Sequence, residues 1–306
     1  IKPIVGYSSS SQKSWKKNLA QAVRSFNLRV SDFFCFITTN ASFVTKTVQD
    51  QIGILSEDVV FVVDEAHNMG ASNYRRYLPD NIKYRLGLSA TIDRHNDESG
   101  TTALAKYFGK KCIAYSLKDA IDSQMLTRYY YYPVLTYLDQ DELSDYLSIT
   151  GQLAKAIHKK NGKVVLTERA KQLLIKRSRI VAGAKGKLPE LQRQIAPHID
   201  DKHILVYCGA TTVRDEDDAD FSKRQIDLVA DLLGNTLNMR VGRFTSQESA
   251  QERAQIREAF AEGNALQVLV AIKCLDEGVN IPSIKTAFIL ASSTNPKEYI
   301  QRRGRV

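Results

Sequence analysis

No run of apolar residues in this 306-residue chain approaches the roughly 20 needed to cross a membrane as a helix. That excludes an integral membrane protein of the helical kind. The N-terminal stretch Ile1-Lys2-Pro3-Ile4-Val5-Gly6 lacks both an initiator Met and the pattern of a secretory signal. The four cysteines (Cys35, Cys112, Cys208 and Cys274) form no C-x-x-C pair, which argues against a zinc ribbon or a redox dithiol. They are expected to be buried, reduced thiols of a cytoplasmic protein. No short-period repeat is present either, so a solenoid is not expected.

Charge is abundant in one place. The chain carries a net +9, yet twelve Lys and Arg lie between Lys155 and Arg193, opposed only by Glu168 and Glu190. That segment alone accounts for the whole net charge. Such a concentration is the electrostatic footprint expected of a protein that meets a nucleic-acid backbone. Hydrophobic content of 43% is ordinary for a globular protein, and the length suits two domains.

Short, continuous apolar runs recur: 33–37, 59–63, 85–88, 204–207, 268–271 and 287–290. Continuous rather than alternating runs predict strands buried on both faces, as in a parallel sheet covered by helices. Helical periodicity lies between them, at 15–26 and 249–260. From 128 to 200 the alternation stops. Tyr129 to Pro133 reads as an extended connector, and 141–159 and 168–184 read as two helices. The expected fold is therefore α/β, with domains at 1–127 and 201–306 joined by a basic helical connector at 128–200.

Two adjacent carboxylates, Asp64 and Glu65, follow the second of these runs. In open α/β sheets, ligands bind beyond the carboxyl ends of the strands. One acid there suits a hard cation and the next suits a water nucleophile. Val59–His67 (VVFVVDEAH) resembles motif II of superfamily 2 helicases. Ser89-Ala90-Thr91 resembles motif III, 204–209 (ILVYCG) motif IV, 268–282 (VLVAIKCLDEGVNIP) motif V and 301–305 (QRRGR) motif VI. Each alone is a weak signal; all five in order are a strong one.

The resemblance implies two RecA-like domains with ATP and Mg²⁺ held between them. Asp64 would hold Mg²⁺, Glu65 would be the catalytic base, and His67 would sit near the terminal phosphate. Ser89 and Thr91 would couple the ATP site to the nucleic-acid groove. Gln301 would touch phosphate, Arg305 would be an arginine finger, and Gly278 and Asn280 would border the nucleotide. Thr38, Thr39 and Ser42 resemble motif Ib, a backbone grip; Gly209, Thr211 and Thr245 would be its counterparts in the second domain. Lys176, Arg177 and Arg179 on the connector would add phosphate contacts.

Other parts of the family pattern are missing. No G-x-x-x-x-G-K-[ST] loop occurs. The stretch Gly183-Ala184-Lys185-Gly186-Lys187 imitates one, but its glycines are too close and Leu188 stands where Ser or Thr is needed. The chain is therefore expected to be a fragment, cut at the N-terminal side of motif Ia and within motif VI, and inactive as an ATPase by itself. Ile272 and Asn280 replace the Thr and Asp that many members carry. The pattern from Ile272 to Gly278 looks closer to restriction- and repair-type DNA translocases than to RNA helicases. Double-stranded DNA is the expected partner, together with further domains or subunits of a repair, restriction or defence system. The competing readings are an RNA helicase and a non-catalytic nucleic-acid-binding module built on a degenerate motor. Intact Asp64, Glu65, His67, Gln301 and Arg305 argue against degeneracy.

Overall fold

The computed structural model describes residues 2–8, 10–55, 58–94, 97–125, 127–160, 163–214, 222–245, 247–272 and 284–291. The chain forms two compact units, Ile1–Ala114 and Tyr115–Val306. Both are α/β, and every strand pair of their RecA-like sheets is parallel. No helix among the described residues is long and apolar enough to cross a membrane.

The first unit runs β1 (Ile4–Gly6), α1 (Trp15–Asn27), β2 (Phe36–Thr38), α2 (Asn40–Phe43), α3 (Lys46–Gly53) and β3 (Val60–Val63). A 3₁₀ turn (Ala66–Gly70), α4 (Ser72–Arg75), β4 (Tyr84–Gly87) and α5 (Glu98–Phe108) complete it. β1 pairs with β2, and β3 with β4. α1 turns Trp15, Leu19 and Val23 inward, four residues apart on one helical face. They join Phe43, Val48, Val63, Ala66, Met69 and Leu104 in one core.

The expectation of strands buried on both faces fails in this unit. Phe61 and Val63 enter the core, but Val60 and Val62 are 62% and 54% exposed. Their register partners on β4, Tyr84 and Leu86, are exposed as well. Among the described residues, helices cover only one face of β3 and β4. A strand that is apolar throughout has the composition for two-sided burial, but burial also needs a second layer.

The second unit begins with α6 (Leu117–Asp122) and an extended stretch, then α7 (Gln140–Ala156), β5 (Ile157–Lys160), β6 (Lys163–Leu166), α8 (Glu168–Ala182) and α9 (Lys187–Ile195). Next come β7 (Ile204–Cys208), β8 (Thr212–Arg214), β9 (Ser222–Arg224), α10 (Gln225–Asp231), β10 (Val241–Phe244), α11 (Ala250–Glu262), β11 (Val268–Ile272) and β12 (Thr286–Ile289). The sheet order is β10-β11-β7-β12. Here two-sided burial holds. Ile204, Val206 and Cys208 face a core with α9 and α10, while Leu205 and Tyr207 face another with Phe260 of α11. Burial pushes the Cys208 thiol up to about 12, so this cysteine is inert at neutral pH. Cys112, by contrast, is exposed and Cys35 half-buried, contrary to expectation; Cys274 lies outside the described residues.

The connector is not purely helical. The first expected helix ends at Ala156, and β5 and β6 form an antiparallel hairpin between α7 and α8. Asp139 and Glu142 form a capping box at the start of α7. Glu142 also accepts the Lys185 N–H at 2.9 Å, tying that end to the turn after α8. The stretch 183–187 follows a helix, α8, rather than a strand, so it is not a phosphate loop. Its Lys187 instead donates to the carbonyls of Ala182 (3.2 Å) and Leu290 (2.6 Å), and burial lowers the pKa of its amine. Gln225, with 0% exposure, accepts the Gly209 N–H at 2.7 Å and donates to the Ala182 carbonyl at 2.8 Å. The basic α8 is thereby fastened to the carboxyl ends of β7 and β12.

A buried Gly209 N–H left without its acceptor costs roughly 1–3 kcal/mol. Gln225→Leu is therefore expected to lower the urea midpoint by an amount equivalent to about 2 kcal/mol at unchanged slope. A shift below about 0.5 kcal/mol, the range of an ordinary surface change, would mean that the bridge does not hold the connector.

Candidate active site

β3 ends at Val63, and the next two residues carry the carboxylates. Glu65 adopts left-handed backbone geometry, φ 49° and ψ 46°. For a residue with a Cβ, that conformation costs about 1–2 kcal/mol. Three bonds hold it there. Asp64 Oδ1 accepts the Glu65 N–H at 2.8 Å, Ala66 N–H donates to Leu88 O at 2.9 Å, and Asn68 N–H donates to Glu65 O at 2.9 Å. Leu88 N–H in turn donates to Val63 O at 2.8 Å, so the turn is sewn to the end of β4. Gly87 sits beneath it: a Cβ there would come 3.1 Å from both Ala66 Cβ and Phe108 Cγ.

The left-handed residue separates the two carboxylates. Asp64 is exposed, with its second carboxylate oxygen free of any donor among the described residues. Glu65 turns back towards His67, and its Oε2 lies 3.3 Å from His67 Nδ1. The same nitrogen lies 3.0 Å from Ser89 Oγ, which donates to the Thr91 carbonyl at 2.7 Å. A serine hydroxyl has one hydrogen, and the Thr91 carbonyl takes it. His67 must then donate from Nδ1 to Ser89 and towards Glu65, which fixes the tautomer. The imidazole is 12% exposed, so this bond is largely shielded from water.

Asp64, Glu65, His67, Ser89 and Thr91 thus form one constellation. Arg94 and Asp97 were not anticipated. Arg94 Nη1 donates to the His67 carbonyl, and its Nε donates to Asp97 Oδ2 at 2.7 Å. The Arg94 guanidinium and the Gly100 N–H hold the Asp97 carboxyl well below its usual range, at about 2. A helix-capping Asp before α5 is a readable signal; the reach of Arg94 back to His67 is not. Gly278, Asn280, Gln301 and Arg305 lie outside the described residues.

The expected nucleic-acid residues are mostly engaged internally. Thr38 Oγ1 donates to Gly6 O at 2.6 Å, joining the ends of β1 and β2, and Thr39 Oγ1 accepts the Ser42 N–H as the cap of α2. In the second unit Thr211 and Thr245 are each only 8% exposed. Thr211 donates to Arg179 O at 3.3 Å, and the Thr245 N–H and hydroxyl both bind Glu248. A phosphate contact at either would first have to break these bonds, and at Thr245 it would meet a carboxylate. Lys176 and Arg179 are exposed on α8, whereas Arg177 lies over the Tyr146 ring at 5.5 Å.

Residues 186–306 match the family described as Helicase conserved C-terminal domain, and residues 7–94 match Type III restriction enzyme, res subunit. No curated protein matches the chain. Among solved structures, the Pyrococcus furiosus Hef helicase domain is similar at 15% identity and a TM-score of 0.51, over 97% of this chain and 77% of that one. A fragment described as an HsdR subunit of a type I restriction enzyme, from Vibrio vulnificus YJ016, is similar at 17% identity and 0.54, over 89% of this chain and 44% of that one. S. cerevisiae Dbp5 bound to RNA and ADP BeF3 aligns at 16% or less identity with a TM-score of 0.45. The chain carries superfamily 2 helicase segments of the restriction and repair type, on RecA-like α/β units.

If Glu65 is held in a left-handed turn, glycine should fit there better than alanine. Glu65→Gly is expected to be more stable than Glu65→Ala by about 1 kcal/mol in chemical denaturation. The reverse order, normal for extended or helical positions, would show that the turn relaxes in solution.

Proposed function

We propose that the protein of which this chain is the motor core hydrolyses ATP to move along double-stranded DNA. The observation that carries this reading is the turn after β3, where Glu65 and Asp64 diverge and His67 links Glu65 to Ser89. Asp64 offers an exposed carboxylate oxygen at a strand end, the hard donor that Mg²⁺ with nucleotide phosphates requires. Mg²⁺ so held would neutralise developing phosphate charge. Glu65 would orient and deprotonate water, and His67 would report the state of that carboxylate to Ser89 and Thr91. Gln301 and Arg305 complete the hydrolytic set by their motif, and Gly278 and Asn280 border the nucleotide in the same way.

DNA rather than RNA is supported by the res-subunit match over residues 7–94 and by the pattern at 272–278. Exposed Lys176 and Arg179 would meet phosphates. Arg177, packed on Tyr146, would serve the connector more than the duplex. The partner system would be one of restriction, repair or defence, in the cytoplasm. The 306 residues contain no glycine-rich phosphate loop, so this chain alone would turn over little ATP.

ATP turnover by the full-length protein is expected to rise with duplex DNA more than with RNA, and to fall roughly 10²-fold or more in Glu65→Gln. Reversing Lys176 and Arg179 should weaken DNA binding at low salt and flatten its salt dependence. Stimulation by RNA alone would favour an RNA helicase. Nucleic-acid binding with no turnover at all would favour a scaffold.

A further inference from the structure

Arg94 lies 27 residues after His67 and reaches back to it. Its Nη1 donates to the His67 carbonyl while its Nε donates to Asp97 Oδ2. Its own N–H donates to Thr101 Oγ1 at 2.9 Å, so its backbone is fixed to α5. Asp97 is fixed in turn. Its Oδ1 accepts the Gly100 N–H at 2.8 Å and the Ser99 hydroxyl at 3.1 Å, capping that helix. Two glycines make room for the guanidinium. A Cβ on Gly70 would collide with Arg94 Cδ, and one on Gly100 would come 2.8 Å from Arg94 Nε.

We infer that Arg94 is a positioning residue for the hydrolytic turn: it pins the His67 main chain to the start of α5, with Asp97 as a fixed counter-charge, so that the imidazole keeps Nδ1 between Glu65 and Ser89. The turn needs such a clamp because it is 3₁₀, with poorer hydrogen-bond geometry than an α-helix. A ring displacement of about 1 Å would break the bond to Ser89. The planar guanidinium holds two acceptors at once in a fixed relation; a lysine ammonium reaches them only as a point charge. Any kinetic consequence rests on the hydrolase reading of the turn, but the geometry does not.

The test has two arms. In ¹⁵N-histidine NMR of the 306-residue chain, which has five histidines, His67→Gln identifies the His67 signals. Wild type is expected in the Nδ1–H tautomer. Arg94→Ala should convert it to an exchanging mixture without moving the other rings, and Arg94→Lys should fall between. In the full-length protein, Arg94→Ala should lower kcat roughly ten- to hundredfold with KM for ATP within about twofold. Adding His67→Ala should then cost no more than His67→Ala alone, because the clamp acts through that ring. His67 signals unchanged in Arg94→Ala overturn the inference, as do additive losses in the double variant. If Arg94→Ala does not fold, Arg94→Lys and Asp97→Asn carry the same readings. An inactive full-length protein with the NMR result intact would count against the hydrolase reading and leave the clamp supported.

Discussion

Everything at the candidate active site depends on one backbone conformation, the left-handed Glu65. It lets two consecutive carboxylates face different ways, one to solvent and one to a histidine. The strain persists because hydrogen bonds on both sides over-determine it: Asp64 on its own following amide, Ala66 on the end of β4, and Asn68 on the Glu65 carbonyl. The small residues around the turn follow from the same need. Gly87 lets the turn settle on β4, and Gly70 admits the Arg94 side chain. Strained, bonded and glycine-flanked turns of this kind are typical of sites where geometry matters more than stability.

Much of this was legible in the sequence. The apolar runs located the strands, and the acids and the Ser-Ala-Thr triplet fell at strand ends, where α/β sheets place their chemistry. Two-sided burial was read correctly for β7 and β11, which have helices on both faces, and wrongly for β3 and β4, where a covering layer is present on one face only. Composition reports what a strand could bury, not what is there to bury it. The hairpin of β5 and β6 escaped notice because Lys-rich residues at 159, 160 and 163 fit an exposed helix as well as an exposed hairpin. Gln225 and Arg94 were invisible for a different reason. Each acts through long-range bonds to backbone, at separations of 43 and 27 residues, and no local pattern encodes such a partner.

The second unit shows how side chains that resemble ligand contacts can first be architecture. Thr211, Gly209, Gln225 and Lys187 together bind the end of α8 to the ends of β7 and β12. The helix carrying Lys176 and Arg179 is thus attached directly to the sheet that bears the helicase C-terminal motifs. In the proposed motor, a displacement of that sheet would carry the basic helix with it. Hydroxyls at strand ends contribute to that rigidity, leaving the charged face of α8 as the exposed cationic surface of the connector.

The central claim is that this architecture converts ATP hydrolysis into movement along duplex DNA. The most direct measurement is displacement of a triplex-forming strand from duplex DNA by the full-length protein. The account predicts ATP-dependent displacement, delayed in proportion to the distance the motor must travel. ATP hydrolysis stimulated by DNA without displacement, at any distance, would contradict it.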